Sequence, residues 1–266
     1  MSSPTIIVIV VGDLDGVIAG TKWDPGPLTE ALLKADRILH PGKVEYDFSL
    51  GAVISVIPRW LKQASLPRGR NLAQMMPPDQ FQRLVRLERR GILKKGFDRK
   101  HPFHLAVGLF DHAVGKSGLG PDISDYVKRA AKKHRLNMVP VPKVGVKAIF
   151  NNLFATQPES HVQCLLDMAA LAEMGSSLMK ERSEAWAARR VPQLLASPAE
   201  QVYGSCWPSH LDEAARPGQR DTILRLLSEP KVTVAVMDIR SLAIGGGILD
   251  QLAARGLKIE GPKWKN

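Results

Sequence analysis

The stretch KVTVAVMDIRSLAIGGGILDQLAARGLKIEG, Lys231 to Gly261, decides the fold class. Lys231 to Met237 reads as a buried β-strand, the segment from Ala243 to Gly256 as a glycine turn that opens a helix, and LKIEG as a returning strand. That is a βαβ-like unit, and such units belong to α/β proteins with helices on the faces of a sheet. Gly245 to Gly247 invite comparison with phosphate-binding loops. Their spacing is neither GxGxxG nor GxxxxGK[ST], and a plain strand-to-helix turn is the expectation.

Working outward, IIVIVV at Ile6 to Val11 is a second buried strand, and it ends abruptly in GDLDG, Gly12 to Gly16. Pro27 starts the helix PLTEALLKAD, which feeds the short strand RILH, ended by Pro41-Gly42. Further helices are expected from Pro78, from Pro102 to Val114 and over DISDYVKRAAKKH, the last capped by Asp122 or Ser124 and followed by the strand LNMVPV. Glu159 to Arg190 holds no proline and repeats apolar residues at helical spacing, which predicts one long helix or a helical pair. The segment FSLGAVISVIPRWLKQ is mixed in character. The expectation is one α/β domain over residues 1–266, a central mixed sheet with flanking helices and a long helical insertion.

Composition narrows the function. The chain has 266 residues, a net charge of +11 and 44% hydrophobic residues, enough for a sizeable core. Ten Lys or Arg against three acids lie between Pro67 and Lys100, and VKRAAKKHR follows at Val127 to Arg135. Arg83, Arg86, Arg90, Lys128 and Lys132 are therefore candidates for an anionic partner, nucleic acid or anionic membrane. No apolar run reaches the roughly 18 residues that span a bilayer, and no basic residue precedes the first apolar run. The chain as written reads as cytoplasmic, or as periplasmic or exported if its true start lies upstream. Cys164 and Cys206 have no CxxC spacing and are too few for a disulfide framework.

The order of these segments resembles the TraB/PrgY/GumN family, relatives of the Tiki proteases. The resemblance rests on the strand ending in a glycine turn, PLTEALLKADRI, DISDYVKRAAKKHRLNMVPV, the helical middle and VAVMDIRSLAIGGGILDQLAARGLKIE. It implies metallopeptidase chemistry from two GxxH motifs and two glutamates at strand ends. In this sequence the first motif reads GDLD, from Gly12, with Asp15 at the histidine. His40-Pro41 stands at the first glutamate, with Pro41 at the acid, and Pro142 stands at the second. DIRS places Asp238 at the second motif's glycine and Ser241 at its histidine.

Imidazoles and carboxylates are what a divalent metal and its activated water require, and proline supplies neither. The expectation is a non-catalytic relative with no cofactor, whose vestigial pocket, lined by Gly12, Asp15, His40, Pro41, Pro142 and Ser241, serves binding or regulation. The alternative is a metal-dependent hydrolase with relocated ligands. His101, His104 and His112 in HPFHLAVGLFDH are its candidates, because their spacing of three and eight puts them on one helical face. Against that, Pro102 starts the helix after His101. An electrostatic binder of nucleic acid or anionic membrane is the third reading. No GxSxG elbow supports a serine nucleophile, and Trp23, Trp186 and Trp207 suit a core as well as a ligand.

Overall fold

The computed structural model describes residues 6–42, 45–47, 57–58, 61, 63–115, 118–120, 123–139, 143–145, 156–206 and 220–265. Four strands, β1 (Ile7–Asp13), β2 (Arg37–Gly42), β4 (Asn137–Val139) and β6 (Val232–Asp238), form one sheet in the order β1-β6-β2-β4. The short strands β3 (Glu45–Asp47) and β5 (Lys143–Gly145) pair separately. The α/β class read from the sequence is the class of the structure. All described pairs within the four-stranded sheet are parallel, so the expected mixed sheet is corrected to a parallel one: each strand returns through a crossover, which keeps its direction.

β6 is the last strand of the chain and sits between β1 and β2. Its burial, with Thr233 to Met237 all inaccessible, explains the unbroken apolar run that marked it in the sequence. The expectation of a returning strand at LKIEG is corrected: residues 257–260 join no strand, and Leu257 and Ile259 instead pack against the helices that cover the sheet.

One face of the sheet carries α1 (Gly26–Lys34) and α4 (Ile123–His134), which bury Leu28, Ala31, Leu32, Ile123, Val127 and Ala131 on Ile38, Val234 and Val236. The other face packs on residues 220–226, α9 (Ile239–Ala243) and α10 (Ile248–Ala254). A second core is mainly helical, built chiefly by α2 (Pro78–Arg89), α3 (Pro102–Val114) and α5 (Val162–Met174). Beyond α5 come α6 (Ser176–Ala187), α7 (Val191–Ala196) and α8 (Pro198–Cys206). The expected long helix is thus a pair, α5 and α6, broken at Gly175, whose φ of 73° is the left-handed turn that glycine adopts without strain. Cys164 and Cys206 form a disulfide between α5 and α8, a pairing that two cysteines 42 residues apart do not announce.

Gly245 to Gly247 form the turn between α9 and α10. Gly246 has φ 72°, and a Cβ on Gly247 would meet the Ile244 carbonyl oxygen at 2.6 Å. The Asp250 carboxylate accepts from the Gly246 N–H, so the glycines serve the turn. The segment FSLGAVISVIPRWLKQ lies largely outside the described residues.

Candidate functional site

Because the sheet is parallel, the carboxyl ends of β1, β2 and β6 share one edge. The Gly12–Asp15 turn leaves β1 there, His40 and Pro41 are the last residues of β2 before Gly42, and Ser241 lies on α9 directly after β6. The β2–β6 register shifts between Leu39 and Gly42, where Pro41 has no N–H to give. Pro142 and the side chains of His40 and Pro41 lie outside the described residues.

The strand-end residues are held tightly. Asp13, paired in register with Asp238, is buried and accepts a hydrogen bond from the Ser124 hydroxyl at 3.1 Å. Asp238 caps α9, its carboxylate accepting from the Ser241 N–H at 2.9 Å, and Ser241 is itself buried. The Gly12 carbonyl accepts from the Trp186 indole at 2.9 Å, while Ile239 lies so close that a Cβ on Gly12 would fall 2.3 Å from its Cδ1. The Asp15 carbonyl accepts from Arg182 Nη1 at 2.6 Å, and the Ile18 N–H donates to the Ser183 hydroxyl at 3.1 Å.

Arg182, Ser183 and Trp186 are successive inward positions of α6, so this one helix grips residues 12–18 three times. Arg182 is wholly buried and pairs with Glu200, equally buried on α8, which also accepts from Arg240 through its carbonyl and carboxylate. Two guanidiniums and a helix cap thus surround the edge at which the resemblance places a metal. Among the described residues, the donors at this edge are carboxylates bonded to Ser124 and the Ser241 N–H plus a buried serine, and this set holds no histidine of the kind such a metal site uses.

The large cavity lies alongside. A cleft of about 740 Å³ runs along residues Ile6 to Gly12, lined also by Trp23, Trp186, Leu257, Ile259 and Trp264. Gly12 lines it; Asp15 and Ser241 do not. The Ile7 N–H donates to the Lys231 carbonyl on the β6 side, and the Gly12 carbonyl turns the other way to accept from Trp186. By that alternation the main-chain groups of Val8 and Val10 face the cleft, where they meet no described partner.

The histidines divide. His101 is the N-cap of α3, its Nδ1 accepting from the Phe103 N–H at 3.2 Å, and His112 is exposed on the last turn. The ring of His161, from the turn before α5, packs 5.3 Å from His101, and His104 lies 6.3 Å from it. Burial, then the charges of His161 and His104, push the His101 pKa down to about 4. No group of three or more His, Cys, Asp or Glu suited to a metal ion occurs among the described residues.

Sequence reasoning missed Asp13, Arg182, Glu200, Arg240 and His161. Asp13 stood inside GDLD and Arg240 inside DIRS; the others are partners across 18 to 167 residues, for which a single sequence has no signal. No curated protein and no solved structure matches the chain. The model of the TraB/PrgY/gumN family matches residues 18–261, starting just after the Gly12–Asp15 turn, and the chain belongs to that family.

Proposed function

We propose that this protein is a non-catalytic member of its family that works by binding, with the cleft along β1 as its ligand site. The observation that carries this reading is the double closure of Gly12, by Ile239 packed against its Cα and Trp186 bonded to its carbonyl. In that state the strand end is a structural joint, and the cleft beside it keeps ligand-sized room. The ligand would have an apolar body for the tryptophan-lined walls and polar atoms for the main chain of Val8 and Val10. Titration of the purified protein with a panel of apolar ligands, read by fluorescence of Trp23, Trp186 and Trp264, tests it. The expected result is a saturable change that Val10→Lys abolishes, with no metal-dependent peptide hydrolysis. Stoichiometric metal together with hydrolysis overturns it.

A metal-dependent hydrolase with relocated ligands is the second reading, favoured by the packing of both His104 and His161 against His101. It requires bound metal that is lost when His104 and His161 are replaced by alanine.

A further inference from the structure

We propose that the outer surface of the α1–α4 layer is a docking face for an anionic phospholipid membrane. This inference does not depend on the reading of the cleft. α1 and α4 lie side by side on one face of the sheet, joined by the Thr29–Tyr126 hydroxyl pair at 2.5 Å and by the Trp23–Tyr126 ring contact. Their inward sides are spent on the same core, so their outward sides form one continuous surface.

That surface is strongly one-signed. Lys34 on α1, with Lys128, Arg129, Lys132, Lys133 and Arg135 on and just beyond α4, are all exposed, and none is ion-paired among the described residues. The opposing exposed acids are Glu30 and Asp125 on the helices, with Asp24 and Asp36 flanking α1, where each accepts from a main-chain N–H. The other basic segment behaves differently. Arg83 is tied to Glu173 at 2.6 Å, and α2 belongs to the helical core, so Arg83, Arg86 and Arg90 are not part of the core under α4. The basic residues expected to act together from sequence therefore belong to two packing units, and only the α4 set shares a layer with α1.

Two features select a lipid surface over a nucleic acid. Leu33, 61% exposed, stands beside Lys34 in the cationic layer, and Met138, 37% exposed, follows α4 on β4. Apolar side chains among lysines suit the boundary between headgroups and acyl chains. The aromatic residues of the layer, Trp23 and Tyr126, are packed against each other and against Trp186, so they offer no stacking platform for bases. Among the described residues no helix is long and apolar enough to cross a membrane, so the attachment would be peripheral.

Sedimentation with vesicles tests this, comparing phosphatidylcholine alone with phosphatidylcholine containing phosphatidylserine, and duplex DNA as the competing polyanion. The expected result is binding to the anionic vesicles that weakens steeply with salt. K128E/K132E should reduce vesicle partition at least about tenfold, since each cation near an anionic surface contributes roughly fivefold. Leu33→Ser should reduce it about threefold or more, the loss of a partly inserted side chain. All three positions are exposed, and unchanged circular dichroism and thermal unfolding would show that the variants fold. Absence of binding to anionic vesicles at low salt overturns the proposal, as does tighter binding to DNA than to vesicles.

Discussion

Asp13 and Asp238 stand side by side at the carboxyl ends of neighbouring parallel strands, yet each carboxylate is spent on structure. Asp13 takes the Ser124 hydroxyl and ties β1 to α4; Asp238 takes the Ser241 N–H and starts α9. Adjacent carboxylates at a sheet edge are a common setting for catalysis. Their partners here turn them into fastenings.

The fastening with most at stake is Arg182–Glu200. Both side chains are fully buried, and Arg182 also holds the Asp15 carbonyl. Removing one partner leaves a buried charge uncompensated, so Glu200→Gln is expected to lower unfolding free energy by about 3 kcal/mol or more. The double variant R182M/E200L should recover more than half of that loss. Urea unfolding of the three proteins measures it, and a cost of Glu200→Gln below about 1 kcal/mol would remove the clamp from the account.

Closure of Gly12 makes a separate prediction. A methyl group there meets Ile239 Cδ1 at 2.3 Å, so Gly12→Ala should cost about 1–3 kcal/mol through overpacking. Shortening the obstacle with Ile239→Val in the Gly12→Ala background should restore part of the loss. A double-mutant cycle in denaturant reads the coupling directly; independent, additive effects would argue against the contact.

Acid should weaken the fold through His101. Its folded pKa is about 4 against 6.5 in the unfolded chain, so between those values the unfolded chain binds a proton that the folded chain does not. The stabilisation is complete above pH 6.5 and drains away as pH falls toward 4, by up to about 3 kcal/mol. His101→Asn keeps an acceptor for the Phe103 N–H without titrating there. The pH dependence of the unfolding midpoint should be shallower in that variant; identical slopes would assign the acid sensitivity elsewhere.

Reduction offers a fourth measurement. The Cys164–Cys206 bond closes a loop with a sequence separation of 42, and cross-links of such length stabilise by about 2–4 kcal/mol. Thiol titration of the unreduced protein should find neither cysteine free. Thermal unfolding in reductant should occur several degrees lower, and an unchanged midpoint would show the bond to be without energetic weight.

What the sequence by itself determined is local and periodic. The apolar run of β6, the helical repeats of α1, α2, α3 and α4 and Pro41-Gly42 ending β2 are all written in neighbouring residues, because strand burial and helix faces have short periods; the sequence left open whether α5 and α6 are one helix or two. The order of those segments also carried the family, which the match over residues 18–261 bears out. Only the tertiary structure decided which strand lies at the centre. With β6 between β1 and β2, Asp13 meets Asp238, and LKIEG packs on the helical layer in place of the expected strand. It also decided that Arg182 should meet Asp15 and Glu200, and that His161 should face His101. Such meetings depend on how packed layers bring distant segments together, and a buried charge names its partner only by the space it is given.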